Sequence, residues 1–327
     1  MTEMATKRSS VPLYLAALFV LLVGGFVRQV RFLPLTEFGE DGFQSQLVRV
    51  MLALQAGELG EAGSESWLVY VHLGRLIGVA PFLLGEALLG PAGQVGLLVA
   101  ALMPLVLIMY RERGSMVSFL PLLLPLALSG RGVLVATGVA YLVLYMQREG
   151  TSRWFLWLGA LWVNLSSASV LMALLLLLFA KNPNAQGKYG VQRWVVVGLL
   201  SIVLVASGID KFAGFAAGGA GYEAHAFQSD NVVLVALSRS TLIASFIEGN
   251  YLRGFVYAGL TIYFLFKSAA LLFKPGREGL RRIVICCLPG VPLEGMGMLA
   301  LIFPLVWLFL NFDPSEPKNA YLRKVTP

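Results

Sequence analysis

Residues 154–180 read WFLWLGALWVNLSSASVLMALLLLLFA, between QREGTSR at 147–153 and KNPNAQGKYGVQR at 181–193. No charge interrupts this run, and both of its flanks are basic. Excess Lys and Arg stays on the cytoplasmic side of a membrane. Both ends of the run are therefore expected inside. The polar step Asn164-Leu-Ser-Ser-Ala-Ser169 divides it into two short apolar halves. This predicts a tight helical hairpin whose polar tip sits in or near the outer leaflet.

Composition extends that reading to the whole chain. Of the 327 residues, 57% are hydrophobic and 13% charged; a soluble domain has about 25% charged residues. Too little polar surface remains for water to cover, so one integral membrane domain, 1–327, is expected. The net charge of +7 lies at the ends of apolar segments rather than in an aromatic-interleaved patch, which argues against a nucleic-acid partner. Adjacent Cys286 and Cys287 lie in an apolar run and read as packing residues, with no disulfide framework and no metal site. Lys7 and Arg8 precede an apolar run over 11–26. That run is long for a signal peptide and lacks a small-residue cleavage site, so an uncleaved first helix with a cytoplasmic N-terminus is expected.

Two connections are long and net acidic, at about 28–66 and 209–253. By the charge rule these are outer loops. Within the first, 43–55 reads as an amphipathic surface helix with Leu47, Val50, Met51 and Leu54 on one face. Apolar segments follow over 67–89, 95–110, 116–128 and 133–146, with a turn at Gly90-Pro91 and a break at 129–132. Three crossings after the first helix leave Arg131 inside, whereas a cytoplasmic joint at 147–153 requires it outside. One segment in 67–130 is therefore expected to be broken or re-entrant, its irregular backbone lining protein rather than lipid. Later segments at 194–208, 255–273 and 283–311 return a basic C-terminal tail to the cytoplasm. The fold class is all-α: a polytopic helix bundle of about 9–11 membrane segments, since only helices or closed barrels satisfy backbone hydrogen bonds in lipid. No internal repeat appears, which counts against a secondary transporter.

Charged residues beside or within apolar segments are expensive in a bilayer and are the functional candidates. Glu40 and Asp41, just after the first helix, are placed to act as a general base on a sugar hydroxyl or to hold a divalent cation. His72 and Arg75 lie one helical turn apart, where Arg75 either binds phosphate or snorkels to the headgroups. Arg131 stands between glycines at a helix break, where a phosphate can approach closely. The second loop supplies Glu223, His225, Arg239 and Arg253, a carboxylate, an imidazole and two cations able to grip an anion.

The order of these features resembles bacterial O-antigen and exopolysaccharide polymerases of the Wzy and EpsG-like type. The residues that carry the resemblance are Glu65-Ser-Trp-Leu-Val-Tyr70, Ser129-Gly-Arg131-Gly-Val133, Asn164-Leu-Ser-Ser-Ala168 and the tyrosine-bearing loop 209–253. They span about residues 10–275. Asn164 stands where the family carries His, and Gly132 where it carries Gln, so no base carries over at Asn164. The resemblance implies glycosyl transfer at the outer face of the bacterial inner membrane, without metal or other cofactor. Undecaprenyl-diphosphate-linked oligosaccharide repeats would be joined, with a chain-length regulator and a flippase as companions. It implies Arg75, Arg131, Arg239 and Arg253 as diphosphate ligands, and Asp41, Glu40, Glu223 and His225 as catalytic groups.

The nearest alternative is a GT-C glycosyltransferase using a polyprenyl-monophosphate sugar, for which Glu40-Asp41 is also well placed. A non-enzymatic transporter or envelope scaffold is the alternative from another class; it would tolerate alanine at Arg131 and Asp41.

Overall fold

The computed structural model describes residues 11–30, 65–113, 116–127, 130–147, 153–179 and 190–216. It also describes single positions between 43 and 55 and between 251 and 286. Regular structure among the described residues is helical throughout. The helices are α1 (Val11–Val30), α2 (Glu65–Arg113), a 3₁₀ helix (Met116–Leu123) running into the short α3 (Leu124–Ala127), α4 (Gly130–Gln147), α5 (Arg153–Val163), α6 (Ser167–Phe179) and α7 (Gly190–Ala216).

Three stretches, Val11–Gln29, Tyr70–Arg111 and Gly190–Ile209, are long and apolar enough to cross a bilayer. Their outward faces say the same. On α1 the exposed side chains include Tyr14, Leu15, Leu18, Phe19, Leu22 and Phe26; on α7 they include Trp194, Val195, Leu199, Ile202 and Val205. A helix beside water carries polar residues on that face. These helices carry large apolar ones, which suit hydrocarbon.

α2 is two helices. Gly90 has φ 66° and ψ −159°, a region that is essentially glycine-only. Pro91 then opens the second arm, where its missing N–H costs nothing. A Cβ on Gly93 would press into the Gly85 carbonyl. In one straight helix these two residues would lie about 12 Å apart, so the arms 65–89 and 91–113 fold back on each other. Gln94 Nε2 donates to Glu86 Oε2 at 2.9 Å across this turn. The Gly90-Pro91 turn is where the sequence puts it.

The chain forms two compact units, Met1–Arg49 with Leu76–Leu134, and Val50–Arg75 with Val135–Pro327. In the first, α1 packs on the 3₁₀ helix and on α3. Glycines let it approach α2 closely: a Cβ on Gly24 would come to 2.7 Å from Val95, and one on Gly25 to 3.0 Å from Ala92. Small residues at a helix crossing are how membrane helices gain packing energy without a hydrophobic driving force. Phe43 packs on Phe82 at 5.4 Å between ring centroids.

In the second unit, α6 and α7 pack together, and α5 packs on both. α4 meets α5 backbone to backbone: a Cβ on Gly138 would come to 3.0 Å from the Gly159 carbonyl oxygen. Tyr141 of α4 sits edge-on to Phe155 at 4.7 Å and against Trp162 at 5.6 Å. α5 and α6 have 11 and 13 residues, about 17 and 20 Å. Neither spans a hydrocarbon core of about 30 Å. The division of 154–180 into short halves is thus present.

Several boundaries differ from expectation. α7 continues to Ala216, so residues 209–216 are helix rather than the start of the second outer loop. Arg131 and its flanking glycines form the first turn of α4, where a break over 129–132 is expected. The segment expected over 116–128 is mostly 3₁₀; Pro121 within it and Pro125 after it withhold the N–H groups an α-helix needs. In 43–55 the described residues are helical. Val50 is buried there while Leu47 and Met51 are exposed, so the expected single apolar face is divided. Cys286 is a buried free thiol, in keeping with a packing role.

Candidate functional site

The polar centre of the second unit is the break between α5 and α6. α5 ends by tightening: Asn164 N–H donates to the Ala160 carbonyl, and then Leu165 and Ser166 N–H donate to the Trp162 and Val163 carbonyls, at 3.2–3.3 Å. The last two are 3₁₀-type bonds, a common way to satisfy the final carbonyls of a helix. α6 then starts with Ser166 as its cap. Ser166 Oγ accepts from Ser169 N–H at 3.4 Å, and Ser169 Oγ donates back to the Ser166 carbonyl at 3.0 Å. This is the N-cap geometry that serine favours.

One carbonyl of the break is held from a distance. Arg75 Nε donates to the Asn164 carbonyl oxygen at 2.9 Å. Arg75 is only 6% exposed. An arginine inside an apolar helix is costly unless it meets polar groups, and the negative end of α5 supplies one. Gly74 beside it lets α2 come close, since a Cβ there would lie 3.1 Å from Asn164 Nδ2. Asn164, Ser166, Ser167 and Ser169 are all buried. Asn164 Oδ1 is buried and has no hydrogen-bond partner among the described residues. In the first turn of α7, Arg193 Nη2 donates to the Leu177 carbonyl, tying the other end of α6.

The candidates from sequence fall as follows. Arg75 is at the break, hydrogen-bonded to backbone, so it does not snorkel. His72, one turn earlier, is half-buried. Arg131 is half-buried in the first turn of α4, in the other compact unit from Arg75. Glu40, Asp41, Glu223, His225, Arg239 and Arg253 lie outside the described residues.

Sequence reasoning missed two pairings. Asn164 reads there as a helix breaker standing where the family carries His, whereas its carbonyl is the partner of Arg75. Glu86 reads as an interruption, whereas it pairs with Gln94, which is 3% exposed. The spacing of Glu86 and Gln94 about Gly90-Pro91 is a signal that could have found the second pair; nothing local signals the first.

By its helices the chain is of the membrane-protein class. Compared with protein families, curated proteins and solved structures, it finds no match.

Proposed function

We propose that the protein is a polysaccharide polymerase that joins undecaprenyl-diphosphate-linked repeat units at the outer face of the bacterial inner membrane. The observation that carries this reading is Arg131 in the first turn of α4. A cation at the positive end of a helix opposes the helix dipole, and an anion there is favoured by both the guanidinium and the dipole. A diphosphate at the membrane surface is such an anion.

In this reaction a sugar hydroxyl of one lipid-linked unit attacks the anomeric carbon of the growing glycan. The new glycosidic bond forms as the bond from that carbon to the diphosphate oxygen breaks. The electron pair leaves on the diphosphate, and Arg131 stabilises that charge. The hydroxyl proton passes to one of Asp41, Glu40, Glu223 or His225. Arg239 and Arg253 are further diphosphate ligands. Arg75 has a different part: its bond to Asn164 makes it the residue that holds the α5–α6 break.

The orientation follows from charge. Residues 116–127, mostly 3₁₀, have a length of about 22 Å and fall short of the core. We take them as the re-entrant segment. Arg131 then lies outside, both termini lie in the cytoplasm, and α5–α6 enters from the cytoplasmic side.

The test is complementation. The gene is deleted and restored as wild type or Arg131→Ala at matched protein levels, and the surface glycan is run on a gel. Deletion should collapse the polymer ladder to single repeats, and Arg131→Ala should fail to restore it. An unchanged ladder in the deletion strain would remove the polymerase reading.

A further inference from the structure

We propose that Asn164 binds substrate, its amide oxygen accepting a hydrogen bond from a hydroxyl of the lipid-linked glycan. This rests on the polymerase reading and assigns a residue that it leaves without a role.

Three observations converge. The first is the orphan itself. Asn164 is 8% exposed, and its Oδ1 is buried with no partner among the described residues. Buried polar atoms are almost always paired, and an exception calls for a reason. The second is that the backbone around it is in order. The Asn164 N–H, the Asn164 carbonyl and the N–H groups of Leu165 and Ser166 all have partners, and Ser166 caps α6. The unmet acceptor is therefore a property of one side chain and not of a loosely built break. The third is that its position is fixed. Arg75 holds the carbonyl of the same residue, and Gly74 leaves room beside the amide without a gap, at 3.1 Å from a would-be Cβ to Nδ2.

An amide oxygen only accepts, so the missing partner is a donor. It is not the diphosphate of a lipid-linked glycan, which is esterified at both ends and has no proton to donate at neutral pH. Sugars present hydroxyl donors at every ring carbon that carries no linkage. Irregular backbone at a break between two short membrane helices is where such sites are built.

The experiment compares Asn164→Leu and Asn164→Asp with wild type in the deletion strain, by glycan ladder and by thermal melting of each purified full-length protein in detergent. Leu keeps the volume and removes the acceptor; Asp keeps an acceptor oxygen in the same place. We expect Asn164→Leu to lower the polymer about tenfold or more, the loss of one hydrogen bond, with a melting temperature equal to or above wild type. Asn164→Asp should retain polymer. A full ladder with Asn164→Leu overturns the proposal and leaves the polymerase reading standing, since the amide oxygen then meets at most a water. Loss of polymer together with a lowered melting temperature in Asn164→Leu also overturns it, because the side chain is then structural. A deletion strain with an unchanged ladder overturns both.

Discussion

Arg75 shows how a single side chain can complete a backbone. Its guanidinium donates a hydrogen bond to the buried Asn164 carbonyl. Replacing it with Met keeps the stem and removes the donors. That substitution should destabilise the protein by about 1–3 kcal/mol, the cost of one unsatisfied buried group, read as a lower melting temperature in detergent. Arg75→Lys keeps the charge but places it as a point rather than a fork, and should recover only part of the loss. None of this is legible from sequence. The two residues are 89 apart in the chain, and no local pattern says which carbonyl a distant cation will meet. What was legible is that Arg75 needs a reason to be there, because apolar neighbours surround it. Asn164 was legible as a break for the same reason: one amide and three serines in a run of Leu, Val and Trp.

At the scale of elements, the hairpin in α2 depends on backbone that few residues can adopt. Gly90→Ala should cost about 1–3 kcal/mol, the strain of a side chain in a glycine-only region, again measured by melting. Gly93 fails for a different reason, space. Any side chain there meets the Gly85 carbonyl, so Gly93→Leu should separate the two arms and lower the yield of folded protein in the membrane fraction. The turn was readable because Gly-Pro is strong local punctuation. The end of α7 was not. Asp210, Lys211 and Gly214 look like loop, yet a helix whose interior is anchored by packing on α6 carries them on its last turns. Tertiary contact outweighs local propensity there.

At the scale of the molecule, the proposed orientation says which segments cross. On the orientation proposed above, both ends of 116–127 lie on the outer side. With Cys286 and Cys287 changed to Ser, single cysteines at Met116 and Gly132 should both react with a membrane-impermeant maleimide in spheroplasts. If Gly132→Cys reacts only after permeabilisation, 116–127 crosses and the orientation of everything after it inverts. The membrane class was legible from composition alone. The route through the bilayer was not, since charge fixes the sides of the joints but not the depth of a segment too short to cross.

The distance along the chain between Arg75 and its carbonyl partner also sets an order of events during synthesis. At roughly 5–20 residues per second, the ribosome makes Asn164 some 4–18 s after Arg75, counting the 89 residues between them. Throughout that interval a cation intended for the protein interior has no acceptor from α5. The Arg75–Asn164 bond can therefore close only after α5 has been made, well after the first arm of α2.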